Sequence, residues 1–331
     1  MLPEKVWIDI LTPKQLFFFE PLIEELERRN CSVLCTAREY RELSQLLELT
    51  NLDVKVIGRH GGKSLKDKLI SSNERIAKLI DPVLNFNPNL SLSFASPECA
   101  RVSFGLQIPH ICINDSPHSS KVMRLTLPLS DLLLCPWIIP TKEWLRYGIN
   151  KNKIVKYKAI DVVAWIKRER KNFWSLPNLK RFIVIRLPEV FASYFKNNDD
   201  YDVKLIKEIL KLKDFSLIIL CRYDEQLKRF KEEFSSDSRV IIPDKVVNSI
   251  NLLKKATAFV GMGGTMTWES CLLGVPTLSL WQGSKLYIEE YLSKKGLLFK
   301  VRREEVLSIL KGIIKDDKLR FKMRRRAKRL I

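Results

Sequence analysis

Three histidines, His60, His110 and His118, serve a chain of 331 residues, and none lies in its second half. That scarcity leaves little for a histidine-built metal centre. Seven cysteines do not fill the gap. Cys31 and Cys35 form one C-x3-C pair with no second pair and no histidine nearby, which is poor material for zinc. The other five are scattered, most of them inside apolar runs, and read as reduced core thiols of a cytoplasmic protein rather than a disulfide framework. No tightly bound metal or other resident cofactor is expected. A run of eighteen or more apolar residues is missing, so a transmembrane span is not expected. The opening MLPEKVWIDIL lacks the apolar segment of a signal peptide.

What the chain has in excess is positive charge: 58 Lys plus Arg against 38 Asp plus Glu, a formal net charge of +20. Such a surplus concentrates anions nearby, whether nucleotide, nucleic acid or acidic lipid, without choosing among them. The cations are scattered, and only RRRAKR (324–329) forms a tight cluster. No recognition-helix, KH or RRM pattern accompanies them, so nucleic acid is not the expected partner. A lysine-rich surface of the kind thermophiles carry explains the charge as well.

Length and an apolar share of 46% favour two cores over one. VWIDIL (6–11), CSVLCTA (31–37), DVKVIG (53–58), NLSLSFAS (89–96), PHICIND (109–115) and DLLLCP (131–136) read as buried strands. Between them, QLFFFEPLIEELERR, REYRELSQLLEL and residues 72–84 have helical spacing, while RHGGKSLKDKL reads as a loop. The rhythm breaks at WIKRERKNFWSLPNLK. It resumes with RFIVIRL (181–187), a helix over 200–211, FSLIILC (215–221), SRVIIP (238–243), a helix over 248–255, TAFVG (257–261), VPTLSL (275–280) and GLLFKV (296–301). Alternating apolar strands and amphipathic helices indicate open parallel sheets. We expect a first α/β domain over 1–165, a linker over 166–178, a second α/β domain over 179–312 and a basic helix over 313–331. That helix would lie on either domain or on a membrane surface.

Open parallel sheets bind ligands beyond the carboxyl ends of their strands, so candidate residues should follow strands. GMGGTMTWES (261–270) does so. Its glycines allow positive φ and close backbone approach, and the amides at the start of the following helix suit a phosphate. Glu269 could accept hydrogen bonds from adjacent sugar hydroxyls. The stretch has neither the GxGxxG order nor a Lys-Ser/Thr pair, and a tight turn with a surface glutamate explains its spacing equally. Arg186, at the end of FIVI, could pair bidentately with a diphosphate or be a surface arginine beside a turn. In the first half, His118 has suitable chemistry for proton transfer near neutral pH. Asp115 could orient it or act as base, and Arg124 could reach a phosphate or carboxylate. A helix cap with a satisfied histidine is the plain alternative. Arg59, His60, Gly61, Gly62 and Lys63 could hold an anionic acceptor, or form a solvated turn.

Gly263-Gly264-Thr265-Met266-Thr267-Trp268-Glu269, followed by Leu273-Gly274-Val275-Pro276, resembles the donor-binding segment of GT-B-fold glycosyltransferases and non-hydrolysing UDP-N-acetylglucosamine 2-epimerases. With WIDILTPKQLFFFEPLIEELERR, TAREY, RHGG, IPHICINDSPHS and LPLSDLLLCPWIIP, it is similar to the largely archaeal DUF354 family across most of the chain. The resemblance implies a GT-B-like α/β fold, two Rossmann-like doubly wound domains facing each other across a cleft. It implies that Gly263, Gly264 and Thr265 face the donor diphosphate and that Glu269 holds the ribose. Many GT-B enzymes carry a glycine-rich loop and a histidine after the first strand. Here Gln15 or Phe18 takes the histidine's place, and Gln15 is a substrate-side candidate.

Three readings follow. The first is sugar transfer from a nucleotide-diphosphate donor such as a UDP-sugar, its leaving group neutralised by helix amides and Arg186, to an anionic or lipid-phosphate acceptor. Peripheral contact with the inner membrane face would suit such an acceptor. The second is 2-epimerisation of a UDP-sugar, which needs acid and base groups on opposite faces of the sugar, and the absence of a histidine from the second domain counts against it. The third is non-catalytic binding of a nucleotide or nucleic acid. The first is the sequence's leading expectation, and oligomeric state is left open.

Overall fold

The computed structural model describes residues 3–169, 174–188, 199–316 and 318–331. The chain divides into two compact units, Met1–Trp165 and Ile166–Ile331. Part of the expected linker, 170–173, lies outside the described residues.

The first unit runs β1 (Lys5–Ile10), α1 (Pro13–Arg28), β2 (Ser32–Glu39), α2 (Arg41–Leu47), β3 (Val54–Arg59), α3 (Leu65–Phe86), β4 (Leu90–Ser93), α4 (Pro97–Gly105), β5 (His110–Ile113), α5 (Ser120–Thr126), β6 (Leu132–Pro136), α6 (Lys142–Leu145) and β7 (Ile154–Tyr157). Its strands form one parallel sheet in the order β3-β2-β1-β4-β5-β6-β7. The second runs β8 (Phe182–Arg186), α7 (Asp199–Ile209), β9 (Ser216–Leu220), α8 (Asp224–Glu233), β10 (Val240–Ile241), α9 (Ser249–Lys255), β11 (Ala258–Gly261), α10 (Thr265–Leu272), β12 (Thr277–Ser279), α11 (Tyr287–Lys294), β13 (Phe299–Lys300), α12 (Val306–Lys315) and α13 (Leu319–Ala327). Its parallel sheet is ordered β10-β9-β8-β11-β12-β13. Each sheet reverses its winding once, between β1 and β4 and between β8 and β11. Those reversals are where such sheets leave a crevice at their carboxyl edge.

The central strands are apolar on both faces because helices cover both, and Trp7, Ile8, Ile183, Val184 and Phe259 are fully buried. The carboxylate of Asp9 is buried among them. Asp9 accepts from Arg75 Nη1 at 3.0 Å and Nη2 at 2.6 Å, from Thr36 Oγ1 at 2.6 Å and from Ser96 Oγ at 2.6 Å. Arg75 Nε donates to the Ile57 carbonyl at 2.8 Å. Burial alone would raise the Asp9 pKa, yet Arg75 and the hydroxyls hold it below the usual carboxylate range. The network ties β1, β2, α3 and the β4–α4 turn to one carboxylate.

Three local expectations need correction. The loop expected through LKDKL is helical: α3 starts at Leu65 because Ser64 caps it, accepting from the Asp67 amide at 3.3 Å. Arg38, expected in a helix, ends β2 instead, which extends to Glu39. The basic tail is broken rather than continuous, with Asp316 ending α12 and accepting from the Lys318 amide at 3.0 Å. The second piece, α13, packs on the second unit. Arg320 Nη2 donates to the Lys254 carbonyl at 2.6 Å and Arg326 Nη1 to that of Gly296 at 3.1 Å. No helix among the described residues is long and apolar enough to cross a membrane.

Candidate functional site

At the carboxyl edge of the second sheet, β11 ends at Gly261 and the chain turns into α10 through Gly263 and Gly264, whose φ values are +83° and +87°. Both lie in the left-handed region that favours glycine. Gly264 is the helix cap and has no side-chain acceptor of its own. The amides of Thr265, Met266 and Thr267 precede the first intrahelical bond, from Trp268 N–H to the Gly264 carbonyl at 3.2 Å. A methyl group built on Gly264 would meet nothing within 4 Å, so the backbone there borders open space.

Two carboxyl groups back this turn. Glu269 is 1% exposed, so it is no surface glutamate. Glu289, on α11, is equally buried. Its Oε2 accepts from Ser279 Oγ at 2.8 Å, and its Oε1 lies 3.1 Å from where a Gly263 Cβ would stand. Burial raises the Glu289 pKa, opposed by the Ser279 hydroxyl and the Gly264 amide. Beside it opens a cavity of about 580 Å³ lined by Trp281, Lys285, Leu286, Glu289, Lys300 and Arg302 among others. Arg186 ends β8 half-buried, Nη1 donating to the Cys221 carbonyl at 3.2 Å. Glu289 escaped the sequence reading. The available signal was its place on the same helical stripe as the buried Ile288 and Leu292.

The first sheet's carboxyl edge is built differently. Lys14, in the first turn of α1, reaches between Asp115, after β5, and Asp161, in the short 3-10 turn after β7. Its Nζ donates to Asp161 Oδ2 at 2.9 Å and to Asp115 Oδ2 more closely still. It also stands 4.1 Å from the centre of the Phe94 ring. Tyr157 OH donates to Asp161 Oδ1 at 2.5 Å, and Ser116 Oγ to Asp115 Oδ1 at 2.8 Å. The two acids divide the proton affinity between them. Burial pushes Asp161 up to about 7, with Asp115 adding to the rise against Lys14. Burial would raise Asp115 too, but Lys14 and its hydrogen bonds hold it below the carboxylate range. The cluster can therefore hold or release a proton near neutral pH on Asp161.

His118 shares the β5–α5 turn with Asp115. Burial lowers its pKa, partly offset by the Asp115 charge, so it is a neutral base at neutral pH. Arg124 lies on the exposed face of α5. Gln15 is 7% exposed and spans the end of β1, its Oε1 accepting from the Leu11 amide at 2.6 Å and its Nε2 donating to the Phe94 carbonyl at 3.2 Å. Arg59 ends β3, and His60, Gly61 and Gly62 follow on a separate loop. There His60 Nδ1 accepts from the Gly62 amide at 3.1 Å, and the His60 ring lies 5.6 Å from that of Tyr40. Sequence reasoning missed Asp161 because it missed β7, a short edge strand with the pattern IVKY. Among the described residues no group of three or more His, Cys, Asp or Glu comes together as a metal cage.

Two Rossmann-like parallel-sheet units, each with its polar candidates at the carboxyl edge, define a GT-B-like α/β protein. The chain belongs to the family described as a protein of unknown function, DUF354, which it matches over residues 4–329. An uncharacterised protein of Methanocaldococcus jannaschii is 30% identical over 299 residues, 88% of this chain and 85% of the relative. Among solved structures, the UDP-GlcNAc 2-epimerase of Neisseria meningitidis, bound to UDP-GlcNAc, is similar with a TM-score of 0.75 at 18% identity, over 96% of this chain and 94% of that one. The M. jannaschii UDP-GlcNAc 2-epimerase, in complex with UDP-GlcNAc and UDP, gives 0.71 at 19% identity, over 95% and 94%. A spinosyn forosaminyltransferase gives 0.61 at 14% identity, over 99% and 95%. At these identities the likeness is one of fold.

Proposed function

We propose that this protein is a nucleotide-sugar enzyme. In this reading the second unit holds the nucleoside diphosphate at the Gly263–Gly264 turn and the first unit supplies proton-transfer groups. The observation that carries it is the turn itself: two left-handed glycines open a helix, the second of them bordering empty space, with Glu269 buried on the helix that follows. Thr265 and the neighbouring amides take phosphate oxygens, Glu269 takes the ribose hydroxyls, and Arg186 neutralises the leaving diphosphate.

Epimerisation at C2 of a UDP-sugar is the better-supported chemistry. It needs a base that removes a carbon-bound proton and an acid that returns one. Asp161, near neutral in its affinity, and His118 meet the first requirement. The sequence objection, that the second unit has no histidine, loses force because Glu289 supplies a buried acid there with a raised pKa. The fold likeness points the same way, stronger for the 2-epimerases than for the transferase. Sugar transfer to an anionic acceptor is the second reading, favoured by the basic loop Arg59–Lys63.

The test is UDP-GlcNAc incubated with the protein in D2O and followed by proton NMR. Loss of the C2 proton signal with appearance of the 2-epimer is the expected result. Binding of UDP without exchange at C2 would discard epimerisation and move transfer to the front. Failure of UDP and other nucleoside diphosphates to bind would sink the whole reading.

A further inference from the structure

Arg38 ends β2, at the carboxyl edge of the first sheet and on the side of β1 away from β4. Its Nε is enclosed, the residue as a whole keeps partial exposure, and among the described residues no hydrogen bond or ion pair engages it. Nearby acids are already committed. Glu98 accepts from Ser72 Oγ at 2.8 Å and from Ser96 Oγ at 3.3 Å, while Asp9 is taken by Arg75, Thr36 and Ser96. Burial weighs against the charged form of Arg38 and the Arg75 charge adds to that, while the charges of Glu98 and Asp9 favour it without contact. A guanidinium cannot escape by losing its proton, and the through-space pull of Glu98 and Asp9 offsets only part of the cost of enclosing a cation that no acid touches.

The surroundings have the form of a receptor. Tyr40 stands two residues after Arg38, and its ring packs with that of His60. His60 N–H donates to the Glu39 carbonyl at 3.0 Å, which holds the loop after β3 beside the end of β2. Because His60 Nδ1 accepts from the Gly62 amide, its Nε2 carries the hydrogen and is a donor. Gly61 packs against α3, where a Cβ would lie 2.4 Å from Lys68 Cα, whereas Gly62, at φ +64°, borders open space.

The geometry points to an oxyanion-binding site in the first unit, in which Arg38 is the principal ligand for a phosphate or carboxylate group and the His60–Gly62 loop forms its wall. A planar fork of donors suits either group, taken two oxygens at a time. The site stands apart from the Lys14 cluster and does not rest on the nucleotide-sugar reading. It gives the first unit a means of choosing a charged substrate or effector by its anionic end.

The probes are inorganic phosphate and acetate, each titrated at ionic strength held constant with sodium chloride, with thermal unfolding as readout. Phosphate, acetate or both should raise the melting temperature of the wild type by at least ~2 °C, and the stronger arm identifies the preferred class. Arg38→Met should lose that shift yet melt no lower than the wild type when neither anion is present, since it removes an enclosed charge that no acid touches. Glu269→Ala, altered in the other unit, should keep the shift. Arg38→Met keeping the full shift would overturn the proposal. So would a fall of several degrees in its melting temperature without anion, which would make Arg38 a structural residue.

Discussion

The two carboxyl edges solve different problems with different materials. In the first unit charge is dense and matched: Lys14 lies between two acids, and Arg75 and Asp9 neutralise each other in the core. In the second the edge is backbone, a pair of glycines and free helical amides, with carboxyl groups kept behind it. A dense ionic cluster can set proton affinities, as the split between Asp115 and Asp161 illustrates. A glycine turn can take a highly charged ligand without a titratable group touching it. The contrast is one of materials: titratable groups line one edge and backbone lines the other.

The most forceful way to break that contrast is Lys14→Met, which leaves two buried carboxylates facing each other. A loss of about 3–5 kcal/mol in urea unfolding is expected. A loss below ~1 kcal/mol would mean the acids do not depend on the lysine. Next comes Asp161→Asn. The folded-state pKa of Asp161, about 7, exceeds its ordinary 3.8. The folded state therefore binds the proton more tightly, and this contribution to stability is full below the ordinary value and lost as pH rises toward about 7. Unfolding midpoints measured in steps across that window should slope less steeply downward in the variant. An unchanged slope would place the proton elsewhere in the cluster.

In the second unit Gly264→Ala separates conformation from space. The methyl meets no atom, but the left-handed φ is strained for alanine, so about 1 kcal/mol of stability should go. UDP affinity measured by calorimetry should fall about tenfold or more, since the methyl enters the space next to the amides. Equal UDP affinity in the two proteins would make the turn mere architecture. The smallest effect is expected from Arg124→Ala. Its exposed side chain should change stability by no more than ~0.5 kcal/mol. Any change in turnover would then report on substrate contact alone.

Strands with continuous apolar runs, such as FIVI and SLIIL, were legible because burial on both faces leaves a composition that few other structures share. The glycine turn was legible for a related reason, since only glycine serves at those φ values. What escaped was set by partners distant in sequence. LKDKL has no apolar stripe to betray a helix, and Leu65 and Leu69 remain exposed at 76% and 64%. IVKY is a short strand at a sheet edge, so Asp161 had no strand to follow. Arg38 matched a helical pattern that its neighbours in β1 and β3 override. Lys14 reads as an ordinary turn lysine until Asp115 and Asp161, 101 and 147 residues away, are brought to it.

Asp9 has a bearing on how this sequence can drift. Four elements converge on one carboxylate, and Gly58 is held to glycine by Arg75, whose Cγ would lie 2.9 Å from an added Cβ. No single replacement at Asp9 or Arg75 leaves its companions matched, so an altered network must arrive through several substitutions at once. Descendants of this chain are therefore expected to inherit that corner as a block.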